Sequence, residues 1–98
     1  MTPITNNTGE QQFEIESNGL KATLTYRFYK HDIALMHTFV PEQLSGMGIA
    51  SMLAKEAFAY AKEIKRPVMV YCPFVAGFIK KNPEYQTQLD PEYHPAKR

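Results

Sequence analysis

Residues 37–53, with the sequence HTFVPEQLSGMGIASML, constrain the fold more than any other stretch of this chain. An apolar run over residues 33–40 stops at Pro41, which has no N–H to give to a sheet, and two glycines then precede a segment with helical periodicity. A strand that enters a helix through a glycine loop presents backbone N–H groups and the positive end of the helix dipole to one point. The stretch therefore predicts an anion-binding turn.

The segments before this turn predict an antiparallel meander. Apolar and polar residues alternate strictly over residues 20–29, which indicates a strand with one face in water. A Ser-Asn-Gly turn joins it to a shorter strand over residues 13–16, and the polar residues 1–11 are expected to be irregular. Residues 33–40 are apolar on both faces and complete the meander as a central strand.

The segments after the turn predict a parallel crossover. A helix is expected from about Gly48 to about Lys65, a short buried strand over residues 68–72, and a second helix from Pro73 to about Lys81, with an irregular tail. Strand, helix and strand at this spacing form a right-handed βαβ unit. The predicted fold class is α/β (α+β), a mixed sheet in one domain over residues 1–98 with its core at about 12–86.

Composition narrows the function classes. The formal net charge of +1 gives no reason to expect nucleic acid as a partner, and no apolar run approaches the roughly 20 residues that span a membrane. A single cysteine excludes an intramolecular disulfide, and the N-terminus lacks the apolar core of a signal peptide. The histidines and the cysteine show no zinc-type spacing. We expect a cytoplasmic protein with no metal, nucleic-acid or membrane partner.

Spacing alone leaves the glycine loop with two interpretations. It would cradle a phosphate group, or it would be a simple strand-to-helix turn, and the turn is the commoner case. The loop is not a P-loop, because no Gly-Lys-Ser/Thr follows, and the third glycine of the dinucleotide fingerprint is missing.

A family resemblance favours the first interpretation. The loop QLSGMGIA is similar to the Q/R-x-x-G-x-G/A loop of the GNAT acetyltransferase superfamily, and His37-Thr38-x-Val40-Pro41 with Cys72-x-Phe74 resembles a small, truncated group within it. The resemblance implies acetyl-CoA as cosubstrate, with Phe39 and Val40 offering backbone groups to its pantetheine arm. It also implies a pyrophosphate site at Gln43, Leu44, Ser45, Gly46, Met47, Gly48, Ile49 and Ala50.

Two side chains are candidates for catalysis. Cys72, just before a helix, would act as nucleophile or as proton donor to the leaving thiol, and otherwise would be a small buried apolar residue. His37 would be the general base, and otherwise a core histidine satisfied by a hydrogen bond. Unbroken alternation places His37 on the same face as Ile33 and Leu35, and we expect it across from Cys72.

The resemblance implies an N-acetyltransferase that acts on an amine of unknown identity. The chain lacks the N-terminal helices that longer members devote to the acceptor, so a CoA-binding regulatory or interaction module with little turnover is the alternative. Tyr71 and Tyr85 are the nearest candidates for the tyrosine acid of such enzymes. Three apolar residues of the second helix would line the pantetheine channel or pack in the core: Phe74, Phe78 and Ile79.

Overall fold

A computed structural model of the protein describes residues 4–93 and contains one mixed sheet with two α-helices. In chain order the elements are β1 (Thr5–Asn7), β2 (Gln12–Ser17), β3 (Leu20–Tyr29), β4 (Asp32–Phe39), α1 (Ile49–Glu63), β5 (Val68–Val70) and α2 (Pro73–Lys81). Short 3-10 helices cover Glu42–Leu44 and Pro83–Gln88.

The sheet follows the order of the chain. Strands β1 to β4 are antiparallel neighbours, and β5 pairs with β4 in parallel. The meander and the parallel crossover predicted from the sequence are therefore confirmed.

The core lies between one face of the sheet and α1. On β3 the alternation sends Ala22, Leu24 and Tyr26 into this core, where each is at most 1% exposed. The apolar stripe of α1 meets them, and Leu53 is fully buried. Helix α2 packs beside α1, since Phe78 stacks on Phe58 at a centroid distance of 6.3 Å. The opposite face of the sheet, which we call the open face, carries mainly polar and aromatic side chains.

Two expectations about the N-terminal segment and β5 need correction. Residues 5–7 are not irregular, because they pair with β2 as an edge strand; a three-residue polar strand leaves no hydropathy pattern. Residues 1–3 lie outside the described part. Strand β5 ends at Val70 rather than at residue 72, because the chain turns there into α2.

The tail is more ordered than its proline content suggests. Tyr85, in the second 3-10 helix, packs on Phe58 and Phe78 with centroid distances of 4.9 and 5.2 Å. Leu89 then forms a parallel bridge with Val68. Residues 82–93 thus run along the free edge of β5 and return toward the open face.

Candidate active site

The loop between β4 and α1 has a backbone that requires glycine. Gly46 and Gly48 have φ angles of +80° and +75°, in the left-handed region where other residues are strained. A Cβ added at either position would meet no atom within 4 Å. Conformation rather than crowding therefore selects glycine here, and the space beside the loop is open.

The loop is anchored on its inner side. Leu44 is 2% exposed and fixes the short 3-10 helix in the core. The Ser45 hydroxyl donates to the carbonyl of Glu42 at 2.8 Å, and the Ser45 N–H donates to the same oxygen at 3.1 Å. The glycines that follow are thus held at a defined position in front of α1.

Helix α1 opens toward a cavity of about 220 Å³. Gly48 caps the helix without a side chain, and the Met52 N–H makes the first helical bond, to the Gly48 carbonyl at 3.1 Å. The N–H groups before Met52 come ahead of the helical hydrogen-bond series, at the positive end of the dipole. The cavity is lined by Val40, Leu44, Ser45, Gly46, Gly48, Ile49, Ala50, Ser51 and Phe74.

Most residues predicted for the pyrophosphate loop line this cavity, but Gln43 and Met47 do not. Met47 is 60% exposed, and Gln43 is exposed on the 3-10 helix. Ser51 was missed, because its side chain falls on the polar stripe of α1, although it belongs to the first helical turn. Phe74, on α2, forms the wall opposite the loop.

Strands β4 and β5 separate beside the cavity. Their register ends at the pair Leu35 and Val70, and the Tyr71 N–H adds a last bond to the Leu35 carbonyl at 3.0 Å. Within residues 4–93, β4 continues to Phe39 with no parallel partner. The remainder of β4 therefore borders a gap whose other side is formed by the start of α2.

A β-bulge in β4 changes which side chains face this gap. Tyr26 pairs with Leu35 and Thr25 pairs with His37, so Met36 is an extra residue between them. The extra residue reverses the alternation, and Thr38, opposite the fully buried Leu24, takes the core side. The expectation that His37 shares a face with Leu35 is therefore wrong.

Cys72 meets Thr38 and not His37. Cys72 is 3% exposed, and its Sγ lies 3.1 Å from Thr38 Oγ1. Cys72 is also the cap residue of α2, directly before Pro73. His37 is exposed on the open face, where its carbonyl accepts a hydrogen bond from the Thr25 hydroxyl at 3.3 Å. The expected cysteine–histidine contact is not formed.

The backbone direction along β4 follows from the same register. The Ile33 N–H and the Leu35 carbonyl bond to the β5 side, so the main-chain groups of Ala34 point to β3. After the bulge, His37 and Phe39 occupy the equivalent pairing positions. The main-chain groups of Thr38 and Val40 consequently point toward the gap, and those of Phe39 point to β3.

Two tyrosines considered as acids lie in different environments. Tyr85 is part of the aromatic core described above. Tyr71 is on the open face, and its hydroxyl accepts a hydrogen bond from Tyr93 at 2.5 Å. Hydrogen bonding between the two phenol groups, followed by desolvation, raises the pKa of Tyr71 above its ordinary value.

A second group of titratable residues lies at the far end of β4. Asp32, 7% exposed, lines a cavity of about 320 Å³ together with Asp90 and Glu92 of the tail. Burial raises the pKa of Asp32 to about 6, and the neighbouring Asp90 adds to the rise.

The described residues form neither a metal-binding cluster nor a membrane-spanning helix. In residues 4–93, no cluster of three or more histidine, cysteine, aspartate or glutamate side chains could hold a metal ion. The helices in that part of the chain are all too short or too polar to cross a membrane.

Comparison with known proteins gives consistent results. The profile of the GCN5-related N-acetyl-transferase family matches residues 12–89. Protein NATD1 of Bos taurus is 36% identical over 86 residues, which cover 83% of this chain and 76% of that protein. Protein NATD1 of Danio rerio is 38% identical over 79 residues, covering 78% and 72%.

A solved structure shares the fold. It is the NMR solution structure of a Staphylococcus aureus protein described as GCN5-like. It superposes with a TM-score of 0.70 at 29% identity and covers 97% of both chains.

Proposed function

This chain belongs to the GCN5-related N-acetyltransferase family, and we propose that it transfers the acetyl group of acetyl-CoA to an amine. The cavity at the start of α1 carries this proposal. Two glycines with positive φ and the first-turn N–H groups suit a pyrophosphate, and the open space beside each glycine leaves room for it.

The residues that would hold acetyl-CoA divide between the loop and β4. The loop N–H groups and Ser51 would bind the phosphates, and Phe74 would cover the pantetheine arm. The gap-facing main-chain groups of Thr38 and Val40 support a bonding edge for that arm and an N–H donor for the thioester oxygen. Phe39 would contribute less than the family resemblance implies, since its N–H points to β3.

Cys72 is the nucleophile in this proposal. Its sulfur would form a bond with the acetyl carbon while the bond from that carbon to the CoA sulfur breaks, and the proton lost by Cys72 would leave with the CoA thiol. The amine would then form its bond to the acetyl carbon while the bond from that carbon to the Cys72 sulfur breaks, and Cys72 would depart as the thiolate, which regains a proton from solvent after the product leaves. The position of Cys72, at the gap and two residues from Phe74, supports this role.

His37 would receive the amine proton from the open face. It is exposed there and lies on the strand that borders the gap, so an amine approaching from solvent could reach it without crossing the core. In this arrangement His37 serves the second step and Cys72 serves the first. The free thiol suits a reducing compartment, and we propose a cytoplasmic location.

One observation favours a second candidate function. In the described part of the chain, α2 packs on the same side of the sheet as α1. No helix there covers the open face, where the acceptor would bind. A CoA-binding module with little turnover would need no such enclosure.

Intact-mass measurement after incubation with acetyl-CoA tests the proposal. We expect one acetyl group on the wild-type protein, mapped to Cys72, and none on Cys72→Ala. Loss of the label on adding an amine would complete the transfer. A label that survives every amine supplied would favour the binding module.

Backbone amide spectra separate binding from catalysis. On addition of CoA, we expect shifts concentrated in residues 43–51. Absence of those shifts, with the protein folded, would refute both the transferase and the binding module.

A further inference from the structure

We propose that Thr38 is a positioning residue for Cys72, with its hydroxyl aiming the sulfur into the gap and stabilising the sulfur when it is ionised. This inference deepens the proposed function and rests on it.

The contact between Thr38 and Cys72 joins the two chain segments beyond the point where the backbones of β4 and β5 stop forming hydrogen bonds. The parallel ladder stops at Leu35 and Tyr71, and the Thr38 Oγ1 to Cys72 Sγ distance of 3.1 Å spans the separation beyond it. Each partner lies two residues from a wall of the α1 cavity, Thr38 from Val40 and Cys72 from Phe74. The contact thus adjoins, in sequence, both segments that would flank the pantetheine arm.

The bulge makes this contact possible. Without the extra residue Met36, the alternation would put Thr38 on the open face and a histidine side chain against the thiol. With it, a small hydroxyl faces the sulfur and the imidazole faces solvent. The bulge thus separates a group that orients the nucleophile from a group that can receive a proton from the acceptor.

The chemistry of a hydroxyl suits both states of the sulfur. It accepts a hydrogen bond from a thiol and donates one to a thiolate, and the second bond is the stronger because the acceptor is charged. Because Cys72 is 3% exposed, water provides little of this stabilisation, and the hydroxyl takes its place. Thr38 neither gains nor loses a proton overall in the reaction.

The matched variants are Thr38→Val, which keeps the shape and removes the hydroxyl, and Thr38→Ser, which keeps the hydroxyl. The first measurement is the rate at which iodoacetamide alkylates Cys72 at a pH of about 7, which is close to physiological. We expect Thr38→Val to lower this alkylation rate on the order of tenfold, because a hydrogen bond to a charged group is lost. Thr38→Ser keeps the hydroxyl and should react at a rate close to that of the wild type. Equal rates for Val and wild type would overturn the proposal.

The second measurement is single-turnover acetylation of Cys72 against CoA affinity. Thr38→Val should slow acetylation by a similar factor while the CoA-induced amide shifts and the dissociation constant stay at wild-type values. If Val weakened CoA binding and left acetylation at saturation unchanged, Thr38 would be a ligand contact and the proposal would be wrong.

Two further results would also decide whether Thr38 positions Cys72. If the wild-type protein binds CoA but is never acetylated, the transferase proposal fails, and iodoacetamide still decides the role of Thr38 toward the thiol. If Thr38→Val does not give a folded amide spectrum, Thr38→Ala replaces it, with the same contrast to Ser.

Discussion

The Tyr71 N–H donates to the Leu35 carbonyl at 3.0 Å, and this bond ends the parallel ladder between β5 and β4. The next residue on β4 is the bulged Met36, and the next after Tyr71 is Cys72, which caps α2. Both strands therefore change course one residue after their last common bond. The gap beside the glycine loop arises from these two local events and needs no distortion of the rest of the sheet.

Gly48→Ala should weaken CoA binding and lower stability. An alanine at a φ of +75° costs about 1–2 kcal/mol, and relief of that strain would turn the first helical N–H groups away from the cavity. Urea unfolding and CoA titration measure the two effects. Gly77→Ala in α2 is the matched control, since a Cβ there also meets no atom within 4 Å and no positive φ occurs. We expect it to be neutral or stabilising by about 0.5–1 kcal/mol.

Alanine substitutions of Phe74 and Phe78 should have different effects, the first on CoA affinity and the second on stability. Phe74 is 40% exposed and lines the cavity, so Phe74→Ala should reduce CoA affinity by roughly tenfold with little change in unfolding free energy. Phe78 is 4% exposed and packs on Phe58, so Phe78→Ala should cost about 3–5 kcal/mol of stability. Calorimetric titration and urea unfolding check the pair. Equal loss of stability in both variants would contradict this division.

The sequence predicted those parts of the fold that have a strong local pattern. The alternation over residues 20–29 and the helical stripe after Gly48 both correspond to elements at nearly the predicted bounds. The bulge escaped prediction because residues 33–40 are apolar on both faces, so their hydropathy carries no information about phase. Because the bulge was not predicted, the contact with the thiol was expected for His37 instead of Thr38.

The tail escaped prediction for a different reason. The contacts of Tyr85 with Phe58, and of Tyr93 with Tyr71, join residues far apart in the chain. Proline and polar residues around them indicate irregular structure, and no local pattern shows that an aromatic ring will dock elsewhere.

Stability should fall as the pH rises through the titration of Asp32. Burial first, then Asp90 and Glu92, raise its pKa from the ordinary value of 3.8 to about 6, while His31 opposes them and Lys30 lines the same cavity. A folded-state pKa above the unfolded value means that the protonated carboxyl stabilises the fold. That contribution is complete below about pH 4 and is lost as the pH passes about 6.

Asp32→Asn isolates this effect. The difference in unfolding free energy between wild type and variant should decrease by on the order of 1 kcal/mol across that window, since the amide does not titrate. Urea unfolding at several pH values measures it. Glu56→Gln, at an exposed position of α1, is the control and should show no such trend. A constant difference for Asp32→Asn would show that the fold does not depend on this carboxyl.

His37→Gln should impair transfer to the amine and leave acetylation of Cys72 intact. His37 is exposed on the open face, away from the thiol, so its loss removes the acceptor of the amine proton without changing the nucleophile. Removal of a general base typically costs about 10²-fold or more in rate. Single-turnover acetylation by acetyl-CoA and release of the label to an amine report the two steps separately. His31→Gln, at the turn before β4, is the control and should affect neither step. If His37→Gln slowed acetylation of Cys72 as much as release, the two steps would not be divided between the faces of β4, and the assignment based on the bulge would be wrong.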